Sequence, residues 1–306
     1  MSPASDPAKP STALVLGGGG PVGVGWELGL AAGLAAGGVD LAGADFVVGT
    51  SAGSITGAML KGGDDIAQLV DDVHTMFQQG AGESGADQLP AQGLAGIMEA
   101  LMGGGTGDAA DRTAQLVEVG TFALAAATIT EDAFVGTLST VLGGRPWPKD
   151  FACTAVNAVT GAFEVWDEAA GVPLERAIAS SCSVPGIYPP VTINGERYMD
   201  GGVRSPLNAD LAVGRDAVVV VSCMVMELPP MFDDPRIQAF FDGMKAEIET
   251  LRTGGADVEV IVPDAEFLAL SGFGMNLMDF TLVGAAAEAG VRLGKQEAER
   301  IKAIWS

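Results

Sequence analysis

The sequence predicts an α/β protein, a three-layer α/β/α fold with a mostly parallel central sheet. Three observations carry that reading. Short apolar runs alternate along the chain with longer segments of helical character. A strand, a helix and a second strand follow one another within the first fifty residues, the βαβ unit whose crossover is right-handed and whose strands are parallel. The run at residues 217–223 (A-V-V-V-V-S-C) is apolar almost throughout, as expected of a central strand buried on both faces.

In chain order, residues 1–11 read as a loose tail and 12–306 as a single domain. Residues 12–16 (T-A-L-V-L) form the first strand pattern, which stops at Gly17-Gly18-Gly19-Gly20-Pro21-Val22-Gly23. Residues 24–36 read as a helix, with Gly37-Gly38 as its stop. Residues 45–48 are the second strand, and residues 54–60 have helical character again. The segment 64–79 is an amphipathic helix with Ile66, Leu69, Val70, Val73 and Phe77 on one face. Residues 81–107 are rich in Gly and Ala, and 115–142 read as mostly helical. Within 61–144 we expect either a mobile helical cap over the site or ordinary packed helices with long loops. Residues 151–156 and 162–166 form a strand pair turning near Thr160-Gly161. A short helix at 172–181, with Pro173 in its first turn, leads into a proline-marked loop from Cys182 to Val191. Residues 196–199 are strand-like and run into Asp200-Gly201-Gly202. A helix at 233–252, a strand at 258–262 and a long helix at 278–304 complete the chain.

The bulk numbers exclude several function classes. A net charge of −23 carries no basic footprint for DNA or RNA and no polybasic patch for anionic lipid. It does not exclude a lipid held by its acyl chain, or transient contact with a membrane or micelle surface. No apolar run approaches the ~18 residues of a membrane span. Cys153, Cys182 and Cys223 are odd in number and lack C-x-x-C spacing, and with one histidine they cannot make an ordinary zinc site. No metal or cofactor is therefore expected. The first ten residues lack the apolar core of a secretion signal, so the expected setting is a reducing cytosol. Gly supplies 44 of 306 residues, about twice the usual share, which implies many tight turns or close packings. Oligomeric state is not legible.

The chemistry centres on Gly49-x-Ser51-x-Gly53. This is the elbow in which a sharp strand-to-helix turn lifts a serine oxygen clear of the sheet. Because parallel strands point the same way, the glycine run and Ser51 should emerge at one sheet edge. Taken alone, Gly18-x-Gly20-x-x-Gly23 also fits a dinucleotide fingerprint, with Asp40 and Asp45 at a tolerable distance for a ribose. It fails as a P-loop, since no Gly-Lys-Ser/Thr follows. Beside an acyl-transfer serine, such a loop supplies backbone N–H donors for an oxyanion. The serine needs a base. His74 lies on a helix-like segment too early for the usual Ser, acid, His order, and Ser54 stands where a Ser-Lys pair would need lysine. That leaves a carboxylate, for which Asp200 is the candidate. The competing reading of Asp-Gly-Gly is a plain turn. Aspartate has a pKa of about 3.9 in water and becomes a useful base only in a closed site.

Taken together, Gly18-x-Gly20-x-x-Gly23, Gly49-x-Ser51-x-Gly53 and Asp200-Gly201-Gly202, in this order and at these spacings, resemble the patatin-like phospholipases. The stretch Ala179-Ser180-Ser181-Cys182-Ser183-Val184-Pro185-Gly186, continuing through Pro189-Pro190-Val191 to Tyr198-Met199-Asp200, is similar as well. The resemblance spans roughly residues 13–221. It implies a patatin-like α/β lipid acyl hydrolase with a Ser-Asp dyad and neither histidine nor metal. By that resemblance Ser51 is the nucleophile, Asp200 the base, and Gly18, Gly19 and Gly20 the oxyanion hole. Gly23, Gly49, Gly53, Gly201 and Gly202 are motif glycines. The chain departs from the family in carrying Val22 where Arg or Lys is frequent, which weakens the case for a charged phospholipid headgroup; Arg204, just after the Asp200 turn, reads either as a substitute source of charge or as a solvated arginine. Two other readings stay open: an oxidoreductase using the glycine loop for a dinucleotide, and a catalytically silent member that binds acyl lipid or a protein partner.

Overall fold

A computed structural model describes residues 10–81, 109–227 and 234–305. The tail and most of the Gly- and Ala-rich stretch before residue 108 lie outside the described residues. An eight-stranded sheet forms the middle layer. β2 (Phe46–Gly49), β1 (Thr12–Leu16), β7 (Ala217–Val221) and β8 (Asp257–Ile261) lie side by side and parallel, and β3 (Phe151–Asn157) adds parallel to β2. β4 (Phe163–Trp166), β5 (Val191–Ile193) and β6 (Glu196–Asp200) are joined through antiparallel pairs.

Every residue of β1, β3 and β7 is buried, so the period-two alternation divides two cores rather than core from solvent. Leu14, Leu16, Val47, Val219 and Val221 face one helical layer. It contains α1 (Gly20–Ala36), α2 (Ala52–Lys61), α3 (Ile66–Ala81), α5 (Glu131–Leu142), α6 (Leu174–Ser181) and α9 (Val283–Trp305). Ala13, Val15, Val48, Val218 and Val220 face the other side, against Phe241, Met244, Ile248 and Leu251 of α7 (Pro235–Thr253). A third cluster sets Leu116 and Ala123 of α4 (Ala109–Ala125) on Val156 and Met199.

The glycine content finds much of its use where α1 crosses α9. A Cβ on Gly29 would stand 1.9 Å from the Ala287 carbonyl oxygen, and one on Gly290 would stand 2.1 Å from that of Trp26. Gly25, Gly33 and Gly294 are equally tight against the opposite backbone. The two helices therefore pack main chain to main chain.

Several boundaries differ from the sequence reading. α1 opens at Gly20 instead of residue 24, because Pro21 fits the first helical turn, where its missing N–H costs nothing. The stretch 115–142 is two helices, since Thr130 leaves the helix to accept the Ala133 N–H and cap α5. The terminal helix begins at Val283, after a 3-10 turn at Phe280–Leu282. β5 and the short α8 (Ala265–Leu270) were not read. Asn194 and Gly195 both adopt positive φ (53° and 84°), the tight hairpin turn that joins β5 to β6.

Candidate active site

Leu16, Gly49 and Val221 are level in the sheet, so the glycine loop and the Ser51 elbow leave the strands at one edge. Ser51 has φ 52° and ψ −117°, a conformation that L-residues hold only when the surroundings enforce it. The enforcement is visible. The Ser51 N–H donates to Ser181 Oγ at 3.0 Å. Its carbonyl accepts from Ser54 Oγ at 2.6 Å and Cys182 Sγ at 3.3 Å. A Cβ on Gly49 would lie 2.2 Å from the Gly53 oxygen, and one on Gly53 would lie 2.2 Å from the Leu16 oxygen, so both positions exclude any side chain. The glycine loop is sewn to the elbow by Thr50 N–H to Leu16 O and Gly53 N–H to Gly17 O, both 3.0 Å. Gly18 comes so close that its Cβ would be 3.5 Å from that of Ser51.

Asp200 reaches the same place by strand topology. Cys153 of β3 pairs with both Gly49 of β2 and Trp166 of β4, while Ala155 pairs with both Asp200 of β6 and Glu164 of β4. A strand has two edges, so β4 occupies one, and β2 and β6 share the other end to end. β2 runs parallel to β3 and β6 antiparallel to it, so their carboxyl ends meet. The Asp200 side chain is buried. Its Oδ1 accepts the Gly202 N–H at 2.7 Å, and its backbone N–H donates to Ser183 O at 3.0 Å. Burial lifts the carboxyl to about 7, against the lowering influence of the Gly202 N–H and the Ser51 hydroxyl. Oδ2 has no hydrogen-bond partner of ordinary geometry among the described residues.

The sequence reading missed the residue that ties these parts together. Asn208, fully buried with φ 51°, donates from Nδ2 to Thr50 Oγ1 (3.0 Å), the Ser205 carbonyl (2.8 Å) and, more loosely, the Gly201 carbonyl (3.3 Å). Thr50 Oγ1 in turn lies 3.0 Å from Thr154 Oγ1 on β3. A Cβ on Gly201 would strike Thr154 Oγ1 at 2.2 Å, so glycine there lets the Asp200 turn close on the strand. Arg204 forks onto Asp210 (2.6 and 3.0 Å), holds Asn208 Oδ1 at 2.6 Å and stacks over Phe163 at 4.1 Å. It braces this turn.

In the glycine loop, the Gly18 N–H donates to the Pro206 carbonyl at 2.9 Å, which corrects its expected place as an oxyanion donor. Among the described residues, the Gly19 and Gly20 amides donate to no backbone carbonyl. Behind the loop, Cys223 Sγ packs where a Cβ on Gly19 or Gly23 would fall. Cys223 also reaches Glu27 Oε1 at 3.7 Å, and burial raises that carboxyl to about 8. Val22 is buried, with its N–H on Leu277 O, so a cation there would point into the core. All three cysteines are buried and free. His74 lies on α3, and its side chain is outside the described residues. Among the described residues, no group of three or more His, Cys, Asp or Glu side chains could hold a metal.

Above Ser51 opens a small cavity of about 60 Å³. Ile55, Phe77, Phe134, Leu138, Val141, Val184, Met278 and Phe280 line it, and no charged side chain among the described residues does. α5, inside the region expected to form a cap, supplies one wall. It is moored by Glu131, which accepts from Thr192 N–H (2.9 Å), Thr192 Oγ1 (2.8 Å) and Arg176 (2.9 Å).

A serine elbow at the carboxyl edge of an α/β sheet, opening into an apolar cavity, is the build of an α/β acyl hydrolase. The profile of the Patatin-like phospholipase family matches residues 14–213, more than half of the chain, and the protein belongs to that family of lipid hydrolases. Among solved structures, VipD from Legionella pneumophila is 15% identical with a TM-score of 0.42, over 96% of this chain and 67% of VipD. The type III effector protein ExoU is 17% identical with a TM-score of 0.33, over 94% of this chain. The chain spans about half of ExoU's length, 54%. No helix among the described residues is long and apolar enough to cross a membrane.

Proposed function

We propose that the protein is a serine esterase of acyl lipids that works through an acyl-Ser51 intermediate with Asp200 as its base. One observation carries the reading: where the carboxyl ends of β2 and β6 meet on β3, a serine on a strained elbow and a buried carboxyl, raised by burial to about 7, come to one place. A base is most effective when its pKa lies near working pH, and burial supplies that shift without histidine. Ionised Asp200 takes the Ser51 proton as the oxygen attacks the ester carbonyl. The negative oxygen of the tetrahedral intermediate is met by the Gly19 and Gly20 amides. The carbonyl re-forms, and protonated Asp200 delivers its proton to the leaving alkoxide. A water then repeats the sequence: it loses a proton to Asp200, attacks the acyl carbonyl, and Ser51 leaves with that proton. The lining is apolar and, among the described residues, carries no charge for a phosphate, which suits an acyl chain and favours carboxylic esters with neutral leaving groups.

The test is hydrolysis of p-nitrophenyl esters of graded chain length. Ser51→Ala and Asp200→Asn should each lower kcat by about 10³-fold or more while remaining folded. Near-normal turnover by either variant would remove the dyad. Absence of Ser51 labelling by a fluorophosphonate would instead favour a silent acyl-binding protein.

A further inference from the structure

Residues 271–279, between α8 and the Phe280–Leu282 turn, present apolar side chains to solvent in a way the fold must hold by force. Gly272, Phe273 and Gly274 all have positive φ (58°, 57° and 91°). For a bulky residue such as Phe273 this conformation is a genuine outlier. Yet the residue is 80% exposed, and Met275 is 56% exposed, the two highest values among the exposed large hydrophobics of the described residues. The loop is pinned by Phe273 N–H to Leu268 O and Asn276 N–H to Ser271 O, both 2.8 Å. Neither packing nor backbone preference accounts for a phenylalanine here, and strain of this kind is retained where it serves a task.

The other end of the same loop belongs to the acyl cavity. Met278 and Phe280 line it, and the Leu277 carbonyl accepts the Val22 N–H beside Gly20. We propose that Phe273 and Met275 insert into a zwitterionic lipid bilayer, seating the cavity mouth on the membrane so that an acyl chain enters without crossing water. The charge pattern selects the surface. Between Phe267 and Leu282 the only charged residue is Asp279, and the whole chain carries −23, so an anionic bilayer is repelled while a net-neutral one is not. The proposal rests on the acyl-lipid reading of the cavity, but it is measured by binding alone, on a protein that cannot turn over.

The experiment is flotation of full-length Ser51→Ala with phosphatidylcholine vesicles, beside the same protein carrying Phe273→Asn and Met275→Ser. Asparagine is at ease at positive φ, so the substitution removes the ring and relieves the backbone together. The expected result is a fall of tenfold or more in vesicle partitioning, with Tm unchanged or raised. In the Ser51-intact protein, the two substitutions should leave turnover of a soluble p-nitrophenyl butyrate unaltered. A second readout is Phe273→Trp, whose emission should shift to the blue on phosphatidylcholine vesicles. The proposal is overturned by unchanged partitioning, by an unshifted tryptophan, by wild-type preference for phosphatidylglycerol vesicles, or by equal loss on the soluble ester. If Ser51→Ala retains esterase activity, the dyad fails while these binding results still decide the docking loop.

Discussion

Two glycine-rich regions meet in α1, and they use the residue differently. In the seam with α9, glycines at intervals of four let one helix backbone touch another, with Gly29 against Ala287 and Gly290 against Trp26. At the Ser51 site, Gly49, Gly53 and Gly201 let three chain turns close on a strained serine and a buried carboxylate. The seam repeats along regular helices and contributes stability. The site is irregular, and its close approaches aim particular atoms. Since α1 starts at Gly20, the seam also anchors the glycine loop that packs beside Ser51.

The comparison can be broken most severely at Gly29. A leucine there drives its Cβ into a main-chain carbonyl that no rotamer change can relieve, so Gly29→Leu should cost more than about 3 kcal/mol in denaturant unfolding. Whatever folds should keep normal turnover per active site, titrated with a fluorophosphonate. Gly19→Ala is the counterpart at the site. Its Cβ would meet Cys223 Sγ at 2.5 Å, forcing the loop to move. We expect kcat/KM to fall about 10²-fold, by analogy with the loss of one oxyanion donor, with a smaller change in Tm. Should the two variants show the reverse pattern, the division between seam and site is wrong.

A milder case sharpens it. The closest contact of a Cβ on Gly37 is the Ala298 methyl, at 2.2 Å. Gly37→Ala should therefore cost about 1–3 kcal/mol, and Ala298→Gly should restore most of it in the double variant. At Gly29, where the neighbour is backbone, no such rescue exists.

The smallest effect concerns the two carboxylates, Asp200 at the site and Glu27 on α1. Burial raises both, to about 7 and about 8. A group whose pKa is higher folded than unfolded favours the fold while protonated. That stabilisation is complete below the unfolded value near 4 and is lost as pH rises through 7 and then 8. Asp200→Asn and Glu27→Gln should each flatten the alkaline fall in Tm, by a few degrees at pH 9. Only Asp200→Asn should abolish esterase activity, which in the wild type should rise with pH around a midpoint near 7. Loss of activity in Glu27→Gln would move Glu27 from the seam into the site.

Legibility followed the range of the interactions involved. β1 was read residue for residue, and the elbow and Asp-Gly-Gly were found, because apolar periodicity and glycine placement are local signals. The β5–β6 hairpin carried a readable Asn194-Gly195 turn that went unread. Ser181 lies in a stretch similar to the family but carries no local sign of its role, and Asn208 carries none at all. A buried serine or asparagine looks like any surface one until its partners, 130 and 158 residues away, are known.

What the sequence determined alone was the set of parts: a serine between two glycines after an apolar strand, and a carboxylate before two more. Tertiary structure decided how they act together. Placing β2 and β6 end to end on one edge of β3 brings Asp200 to Ser51, and burial then moves a carboxylate pKa to about 7. Desolvation depends on everything that surrounds a group, and most of what surrounds this one arrives from distant parts of the chain.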